Sequence, residues 1–188
     1  MVVAEAESRI QLVLGPARSG KSRWAEHLAA CSARSVLYVA TSPPRPADPN
    51  WQQRLERHRA RRPAAWRTRE LANPHSLLPT LHDCTGGELA LVDSLGAWVA
   101  SALSLETASW QALCSQLVLG IGCLSCGLII VSEQTGWGVV PPTAVGGLFR
   151  DRLGMVERQL VAVATTTWLV VAGRAIDISA CSRPVPGE

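Results

Sequence analysis

The chain has 188 residues, of which 47% are hydrophobic and 18% are charged, a composition typical of one globular domain that buries its own core. These proportions exclude a largely disordered protein, and a net charge of +3 is too small to indicate a nucleic-acid partner by itself. Residues 1–8 lack a basic start followed by an apolar stretch, and no apolar run reaches the length of a membrane span. We therefore expect a cytoplasmic protein that forms a single domain over residues 1–188, with loose ends at 1–8 and 182–188.

Short apolar runs rich in branched side chains alternate along the chain with segments whose apolar residues recur at helical spacing. The runs predict strands at 10–14, 35–39, 88–92, 128–131 and 167–171, and the segments predict helices at 21–31, 49–62, 97–105, 110–119 and 147–164. This alternation predicts an α/β fold, an open and mostly parallel sheet with helices on both faces. Ligands of such sheets bind beyond the carboxyl ends of the strands.

The residues that follow the first predicted strand are typical of a phosphate-binding loop. They match G-x-x-x-x-G-K-[ST] at every fixed position, between a predicted strand and a predicted helix: Gly15, Pro16, Ala17, Arg18, Ser19, Gly20, Lys21 and Ser22. Backbone amides of such a loop bind phosphate oxygens, with Lys21 at the β and γ groups and Ser22 as a ligand of Mg²⁺. The alternative is an ordinary strand-to-helix turn that matches by chance. The motif in this context predicts a P-loop NTPase-like three-layer fold.

A phosphate-binding loop needs an acidic group on a neighbouring strand end to hold hydrated Mg²⁺. Asp93 is the best candidate because it follows the apolar run 89–92. Glu133, just beyond the strand predicted at 128–131, ranks second. Asp93 is also a candidate N-cap for the helix that follows it, and one residue can serve both purposes.

Positive charge is concentrated between Arg54 and Arg69, where seven of 16 residues are arginine. Asp48 and Pro49 are typical of a helix start and Pro63 of a helix end, so His58 shares a helix with several of these arginines. Nearby positive charge disfavours protonation of His58 and keeps its imidazole available as a nucleophile or base. Three other interpretations stay open: a solvated basic face, a nucleic-acid surface, and a histidine that merely packs.

The six cysteines include a C-x-x-C pair, Cys123 and Cys126. Without an export signal they are expected to be reduced thiols. No second pair or histidine pair completes a metal-ligand set, which favours small buried residues over a redox or metal role.

Several segments together resemble a known family, the bifunctional adenosylcobinamide kinase / adenosylcobinamide-phosphate guanylyltransferases of cobalamin biosynthesis. The resemblance covers roughly residues 10–176. Its motifs are the loop continued to Arg23, Ala25 and Glu26; 38–42, Tyr-Val-Ala-Thr-Ser; Arg54-x-x-x-His58-Arg59-x-x-Arg62-Pro63-x-x-Trp66; Asp93-Ser-Leu-x-x-Trp98; and 136–141, Gly-Trp-Gly-Val-Val-Pro. The loop alone is generic, whereas the histidine segment together with residues 136–141 is specific.

The resemblance implies two reactions at one nucleotide site. A nucleoside triphosphate, ATP or GTP, phosphorylates the aminopropanol hydroxyl of adenosylcobinamide, and GTP then transfers its guanylyl group through a covalent intermediate on His58. Beyond the loop, the implied nucleotide ligands are Ala40, Thr41, Ser42, Arg59, Ala60, Arg61, Arg62, Glu70 and Asp93. The family also implies Mg²⁺ as cofactor and a homotrimer. Two alternatives remain: a small-molecule kinase without transferase activity, and a nucleotide-dependent nucleic-acid binder that uses the arginine-rich helix.

Overall fold

The computed structural model describes residues 9–42, 47–48, 52–53, 56, 59–135, 137–138 and 140–186. Its strands are β1 (Ile10–Gly15), β2 (Ser35–Ala40), β3 (Arg67–Glu70), β4 (Glu88–Asp93), β5 (Gly127–Glu133), β6 (Thr166–Val171) and β7 (Arg174–Asp177). Its helices are α1 (Lys21–Cys31), α2 (Leu77–His82), α3 (Leu95–Ser101), α4 (Thr107–Gly122), α5 (Ala144–Val163) and α6 (Ile178–Cys181), with a 3₁₀ turn at Pro74–Ser76 before α2.

The strands form one sheet in the order β3-β2-β4-β5-β1-β6-β7. Every neighbouring pair is parallel except β6 and β7, which are antiparallel. Because the parallel strands share a direction, β1, β2, β4 and β5 end at the same edge of the sheet. This edge carries the phosphate loop, Ala40, Asp93 and Glu133.

Side chains that alternate along each strand divide the core into two layers. Leu12 and Leu14 of β1 belong to a large cluster that also holds buried residues of α2, α3, α4 and α5. Val13, between them, belongs to a smaller cluster with Ala25 and Leu28 of α1. The sheet therefore lies between helices on both of its faces, and the predicted three-layer α/β architecture is confirmed.

The five apolar runs are the observed strands β1, β2, β4, β5 and β6, but the sequence pattern missed the edge strands β3 and β7 and the short helices α2 and α6. Strand β3 reads Arg-Thr-Arg-Glu and is exposed throughout, so no hydrophobic alternation marks it. Helix α2 contains Pro79, which the first turn of a helix tolerates because its N–H has no intrahelical partner there. Of the helix predicted at 49–62, residues 52–53, 56 and 59–61 are helical, whereas Arg62 lies in a bend just after the helical residues. Residues 49–51, 54–55 and 57–58 lie outside the described residues.

The prediction that Asp93 caps the next helix is wrong. Helix α3 begins at Leu95, and its N-cap is Ser94, whose hydroxyl accepts a hydrogen bond from the backbone N–H of Ala97 at 3.4 Å. Asp93 remains within β4.

All six cysteines carry free thiols, as predicted. Cys126 is buried as expected, and burial raises the pKa of its thiol, which is typical of an inert packing residue. Cys123 differs from the prediction because α4 ends just before it and leaves it exposed. Among the residues that the structure describes, no helix is long and apolar enough to cross a bilayer.

Candidate active site

The phosphate loop has a backbone that its glycines make possible. A Cβ atom on Gly15 would lie 2.3 Å from the carbonyl oxygen of Val170 on β6. Gly20 has a φ of 101°, a conformation that side-chain-bearing residues rarely adopt, and it directly precedes α1. Gly15 is therefore required because β6 lies too close for a side chain, and Gly20 is required because its backbone is left-handed.

Two neighbouring segments hold the loop in place. The backbone N–H of Gln134, just after β5, donates to the carbonyl of Gly15 at 2.9 Å, and the N–H of Gly173, between β6 and β7, donates to the carbonyl of Ser19 at 2.9 Å. The Ser19 side chain is buried and accepts from the backbone N–H of Lys21 at 3.4 Å. The cradle is thus part of the sheet's packing and not a free surface loop.

Lys21 is the first residue of α1 and is only 7% exposed. Its Nζ donates a hydrogen bond to the backbone carbonyl of Pro16 at 3.3 Å, across the loop. Burial is unusual for a lysine unless its charge has a partner. The ammonium group is therefore enclosed by the loop in which a phosphate group of a nucleotide binds in P-loop proteins.

Asp93 and Glu133 lie at the ends of adjacent strands, but their carboxylates have different environments. Oδ2 of Asp93 accepts a hydrogen bond from the phenolic hydroxyl of Tyr38 at 3.0 Å. Both oxygens of Glu133 are engaged, one by the hydroxyl of Ser94 at 2.5 Å and one by the backbone N–H of Gly96 at 3.0 Å. Burial raises the pKa of Glu133, and the charge of Asp93 raises it further. Glu133 thus caps the start of α3, whereas Asp93 keeps acceptor capacity on its second oxygen.

The donor set at this edge suits Mg²⁺, which prefers oxygen ligands and is commonly held by one or two protein groups together with substrate phosphates. Ser22, in the first turn of α1, offers a hydroxyl, and Asp93 offers a carboxylate. Among the described residues, no group of three or more His, Cys, Asp or Glu side chains could hold a metal by itself. The residues therefore fit a cation that arrives with a nucleotide.

The segment after β2 ties two strand ends together. The hydroxyl of Thr41 is buried, donates to the carbonyl of Ser94 at 2.5 Å and accepts from the N–H of Ser94 at 2.9 Å. Ala40 and Ser42 flank it and are half-buried. The structure thus assigns the Thr41 side chain to an internal contact and leaves the backbone of residues 40–42 at the sheet edge.

The arginine-rich residues 54–69 form a basic segment, and three of its arginines contact residues of α1, β2 and β3. Arg59 pairs with Glu70 at 2.7 Å, and Arg61 makes two hydrogen bonds of 3.2 Å to Glu26 of α1. The guanidinium carbon of Arg62 lies 3.8 Å from the centroid of the Tyr38 ring. His58, predicted as the nucleophile, lies outside the described residues, but Arg59, the next residue in the chain, pairs with Glu70 at the carboxyl end of β3.

Sequence reasoning missed three residues that organise this edge. Tyr38 and Glu26 appeared only as parts of motifs, and Glu157 of α5 did not stand out at all. The buried carboxylate of Glu157 accepts from the hydroxyl of Ser132 at 2.6 Å and from the amide of Gln134 at 3.0 Å, directly behind the loop. The one available signal was that Tyr38 is the single tyrosine of the chain.

Comparison with solved structures supports the fold. An ATPase from the type III secretion system of pathogenic bacteria superposes with a TM-score of 0.57 and 11% identity, covering 94% of this chain and 59% of that one. A Pyrococcus horikoshii protein superposes with a TM-score of 0.54 and 8% identity, covering 91% of this chain and 85% of that one. At these identities the likeness shows the fold alone, which is the P-loop NTPase-like fold that the loop motif predicted.

Sequence comparison is more specific. The chain is 38% identical over 166 residues to the bifunctional adenosylcobalamin biosynthesis protein CobP of Pseudomonas aeruginosa, covering 86% of this chain and 92% of that protein. It is 35% identical over 182 residues to the bifunctional adenosylcobalamin biosynthesis protein CobU of Escherichia coli, covering 89% and 98%. The model of the CobU family, described as cobinamide kinase / cobinamide phosphate guanyltransferase, matches residues 11–178. The predicted resemblance is confirmed, and the chain belongs to the family of cobinamide kinases and cobinamide phosphate guanyltransferases.

Proposed function

We propose that this chain, acting as one catalytic domain, uses a nucleoside triphosphate bound at residues 15–22 for both reactions of its family. The first reaction phosphorylates the aminopropanol hydroxyl of adenosylcobinamide, and the second transfers GMP from GTP to that phosphate to give adenosylcobinamide-GDP. The observation that carries the proposal is the buried Lys21, enclosed by a glycine-dependent loop at the sheet edge where Asp93 also lies. A cradle of this kind binds the phosphates of a nucleotide.

In the kinase step the hydroxyl oxygen of the acceptor attacks the γ-phosphorus. A new O–P bond forms, the bond to the β-phosphate oxygen breaks, and the hydroxyl proton leaves to solvent. Loop amides and the ammonium group of Lys21 stabilise the charge that develops on the phosphate oxygens. Ser22 and Asp93 would hold Mg²⁺, which neutralises phosphate charge when bound.

In the transferase step a neutral imidazole nitrogen of His58 attacks the α-phosphorus of GTP and expels pyrophosphate, leaving a phosphoramidate. The phosphate of adenosylcobinamide phosphate then attacks the same phosphorus and releases the histidine. Arg59, Arg61 and Arg62 follow the histidine closely in sequence, which supports this role because positive charge near an imidazole disfavours its protonation. Such groups also bind phosphate oxygens in bidentate geometry.

The remaining nucleotide contacts belong to the same proposal. We assign them to Ala40, Thr41 and Ser42 at the end of β2, to residues 59–62, and to Glu70 at the end of β3. We also propose that the enzyme works in the cytoplasm as a homotrimer, and that neither nucleic acid nor a membrane is its partner. These assignments follow the family resemblance, and the pairing of Ala40 with Glu70 across β2 and β3 agrees with a shared ligand.

The test is covalent labelling. The protein is incubated with Mg²⁺ and GTP labelled at the α-phosphate, without cobinamide, and then denatured in base or in acid. We expect label that survives base and is lost in acid, and we expect His58→Ala to abolish it. His82→Ala is the matched control, because His82 is an exposed residue at the end of α2.

Each other outcome selects an alternative. Kinase activity without any label would leave a small-molecule kinase and contradict the transferase step. Label that persists in His58→Ala would contradict the choice of nucleophile while the activity stands. Tight, salt-sensitive retention of oligonucleotides would instead indicate the nucleic-acid binder.

A further inference from the structure

Tyr38 touches two charged groups to which the proposed function assigns different roles, the carboxylate of Asp93 and the guanidinium group of Arg62. Its side chain is only 4% exposed, in the middle of β2. Its hydroxyl donates to Oδ2 of Asp93 at 3.0 Å, and the guanidinium carbon of Arg62 lies 3.8 Å from its ring centroid. One buried ring thus lies between the proposed metal carboxylate and the basic segment that carries His58.

The strand register explains how the hydroxyl reaches the carboxylate. Strands β2 and β4 are parallel, with Ala40 opposite Asp93. Tyr38 precedes Ala40 by two residues, so both side chains project from the same face, about 6.6 Å apart along the strand. A tyrosine side chain spans that distance, so its ring packs in the smaller core layer while its hydroxyl meets the strand end.

The ring also holds the guanidinium group. A cation over an aromatic face is attracted by the ring quadrupole, and the attraction strengthens where water is excluded. Nη1 of Arg62 additionally donates to the hydroxyl of Thr68 on the edge strand β3 at 3.3 Å, so the guanidinium group is held beside β2 and β3. Movement of Arg62 therefore changes the surroundings of the same ring that orients Asp93.

We propose that Tyr38 is a positioning residue that couples the basic segment to the metal carboxylate. Its hydroxyl orients the carboxylate of Asp93 toward the cation. Its ring binds the guanidinium group of Arg62, so a displacement of Arg62 changes the position of the ring and of its hydroxyl. The inference rests on the proposed function in one respect, the role of Asp93 toward Mg²⁺. It goes beyond that function because it links the metal carboxylate to the basic segment through one side chain.

The first test measures binding and not turnover. The probe is α,β-methylene GTP, whose α–β bridge cannot be cleaved, titrated with Mg²⁺ by calorimetry. Partners that orient a metal ligand typically account for 10- to 100-fold in metal affinity. We expect Tyr38→Phe, which keeps the ring and removes the hydroxyl, to raise the half-saturating Mg²⁺ concentration about tenfold.

Two controls separate this inference from the proposed function. Asp93→Asn should raise the same concentration, and adding Tyr38→Phe to it should produce little further change, since the hydroxyl acts through Asp93. If Asp93→Asn has no effect, the metal role of Asp93 fails. If Asp93→Asn has its effect and Tyr38→Phe has none, the metal role stands and Tyr38 only fills space.

The second test exploits the single tyrosine. Labelling tyrosine with ¹³C at ring carbon ζ yields one NMR resonance, because the chain has one tyrosine. We expect that resonance to shift in Arg62→Gln and again when Mg²⁺ and α,β-methylene GTP bind. Arg150→Gln is the matched control, since Arg150 pairs with Asp151 on α5. If the chemical shift of this resonance is the same in Arg62→Gln as in the wild type, the proposed coupling is wrong.

Discussion

The two halves of the proposed nucleotide site are built in opposite ways. The phosphate loop exposes Ala17 and Arg18 but is anchored in the core: Ser19 and Lys21 are less than 10% exposed, and backbone hydrogen bonds join the loop to Gln134 after β5 and to the turn before β7. The basic segment rests on the surface, where Arg59 and Glu70 pair while their side chains stay 55% and 50% exposed.

Because of this difference, substitutions in the two halves are expected to affect the stability and the activity of the protein differently. Core packing at the loop is sensitive to single atoms, because an added methyl group must displace backbone. Exposed ion pairs contribute only a few tenths of a kcal/mol, because water solvates both charges almost as well. We expect substitutions that add atoms at the tightly packed glycines of the loop to lower stability and activity together, and those in the basic segment to lower activity alone.

The strongest way to break this contrast is Gly15→Ala. The new Cβ would meet the carbonyl of Val170 and the hydroxyl of Ser19, so the loop must move away from β6. We expect the free energy of unfolding to fall by about 1–3 kcal/mol and nucleotide binding to be lost. Urea unfolding and calorimetry measure the two effects.

Gly154→Ala is its matched control, since nothing lies within 4 Å of a Cβ placed at that helical position. Alanine there should stabilise the protein by about 0.5–1 kcal/mol. Equal behaviour of the two variants would contradict the packing argument for the loop.

Lys21→Met tests the function of the phosphate loop. Methionine fills a similar volume without charge, so we expect the protein to stay folded while both reactions slow by about 100-fold or more. Lys21 is the single lysine among 18 basic residues, so a lysine-selective reagent can inactivate through one side-chain amine only. Nucleotide should protect against that reagent. Inactivation of Lys21→Met by the same reagent would show that it acts elsewhere.

Glu157→Gln tests, through the pH dependence of stability, how deeply the site is buried behind the phosphate loop. Burial raises the pKa of Glu157, so between pH about 4.3 and that raised pKa the folded state retains a proton that the unfolded state has lost. This carboxyl therefore makes the wild type less stable as pH rises through the raised pKa, whereas glutamine cannot ionise. Above the raised pKa, the free energy of unfolding of the variant should exceed that of the wild type by about 1.4 kcal/mol more than it does at low pH, for each pH unit by which folding raises the pKa.

The measurement is urea unfolding at a series of pH values from 4 to 8. The advantage of Glu157→Gln should be smallest at pH 4 and reach a plateau above the raised pKa. Glu106→Gln, at an exposed carboxylate, controls for the loss of charge itself. A difference that stays constant over the whole range would contradict the burial argument.

The smallest stability effect is expected for the pair Arg59 and Glu70. Arg59→Ala and Glu70→Ala should each change the free energy of unfolding by less than about 0.5 kcal/mol. Arg59→Ala should nevertheless weaken binding of α,β-methylene GTP by roughly tenfold, because a charge-assisted phosphate contact is lost. Unchanged binding would remove Arg59 from the site, and a large loss of stability would break the comparison of the two halves.

Prediction from sequence succeeded where local pattern and chemistry coincide. The loop motif requires glycines at two positions, and the structure shows a close approach at Gly15 and a left-handed backbone at Gly20. The buried strands were visible because parallel strands covered on both faces are apolar throughout. The apolar run before Asp93 correctly predicted that this residue ends a strand at the carboxyl edge of the sheet, while its role toward Mg²⁺ stays a prediction.

Prediction failed where the determinant is a distant neighbour. Nothing local distinguishes β3, whose four residues are polar and exposed and pair along β2. The N-cap of α3 is Ser94 and not Asp93, and the hydroxyl of Ser94 donates to Glu133, which is 39 positions away in the sequence. No spacing rule reaches that far.

The sequence by itself determined the phosphate loop, the alternation of strands and helices, and the family, because each depends on residues close together in the chain. Only the tertiary structure decided which carboxylate keeps free acceptor capacity and which side chain contacts both charged groups. Asp93 and Arg62 are 31 positions apart, and Tyr38 joins them through the register of β2 on β4. Such contacts depend on how strands pair, which the order of residues in any one segment does not encode.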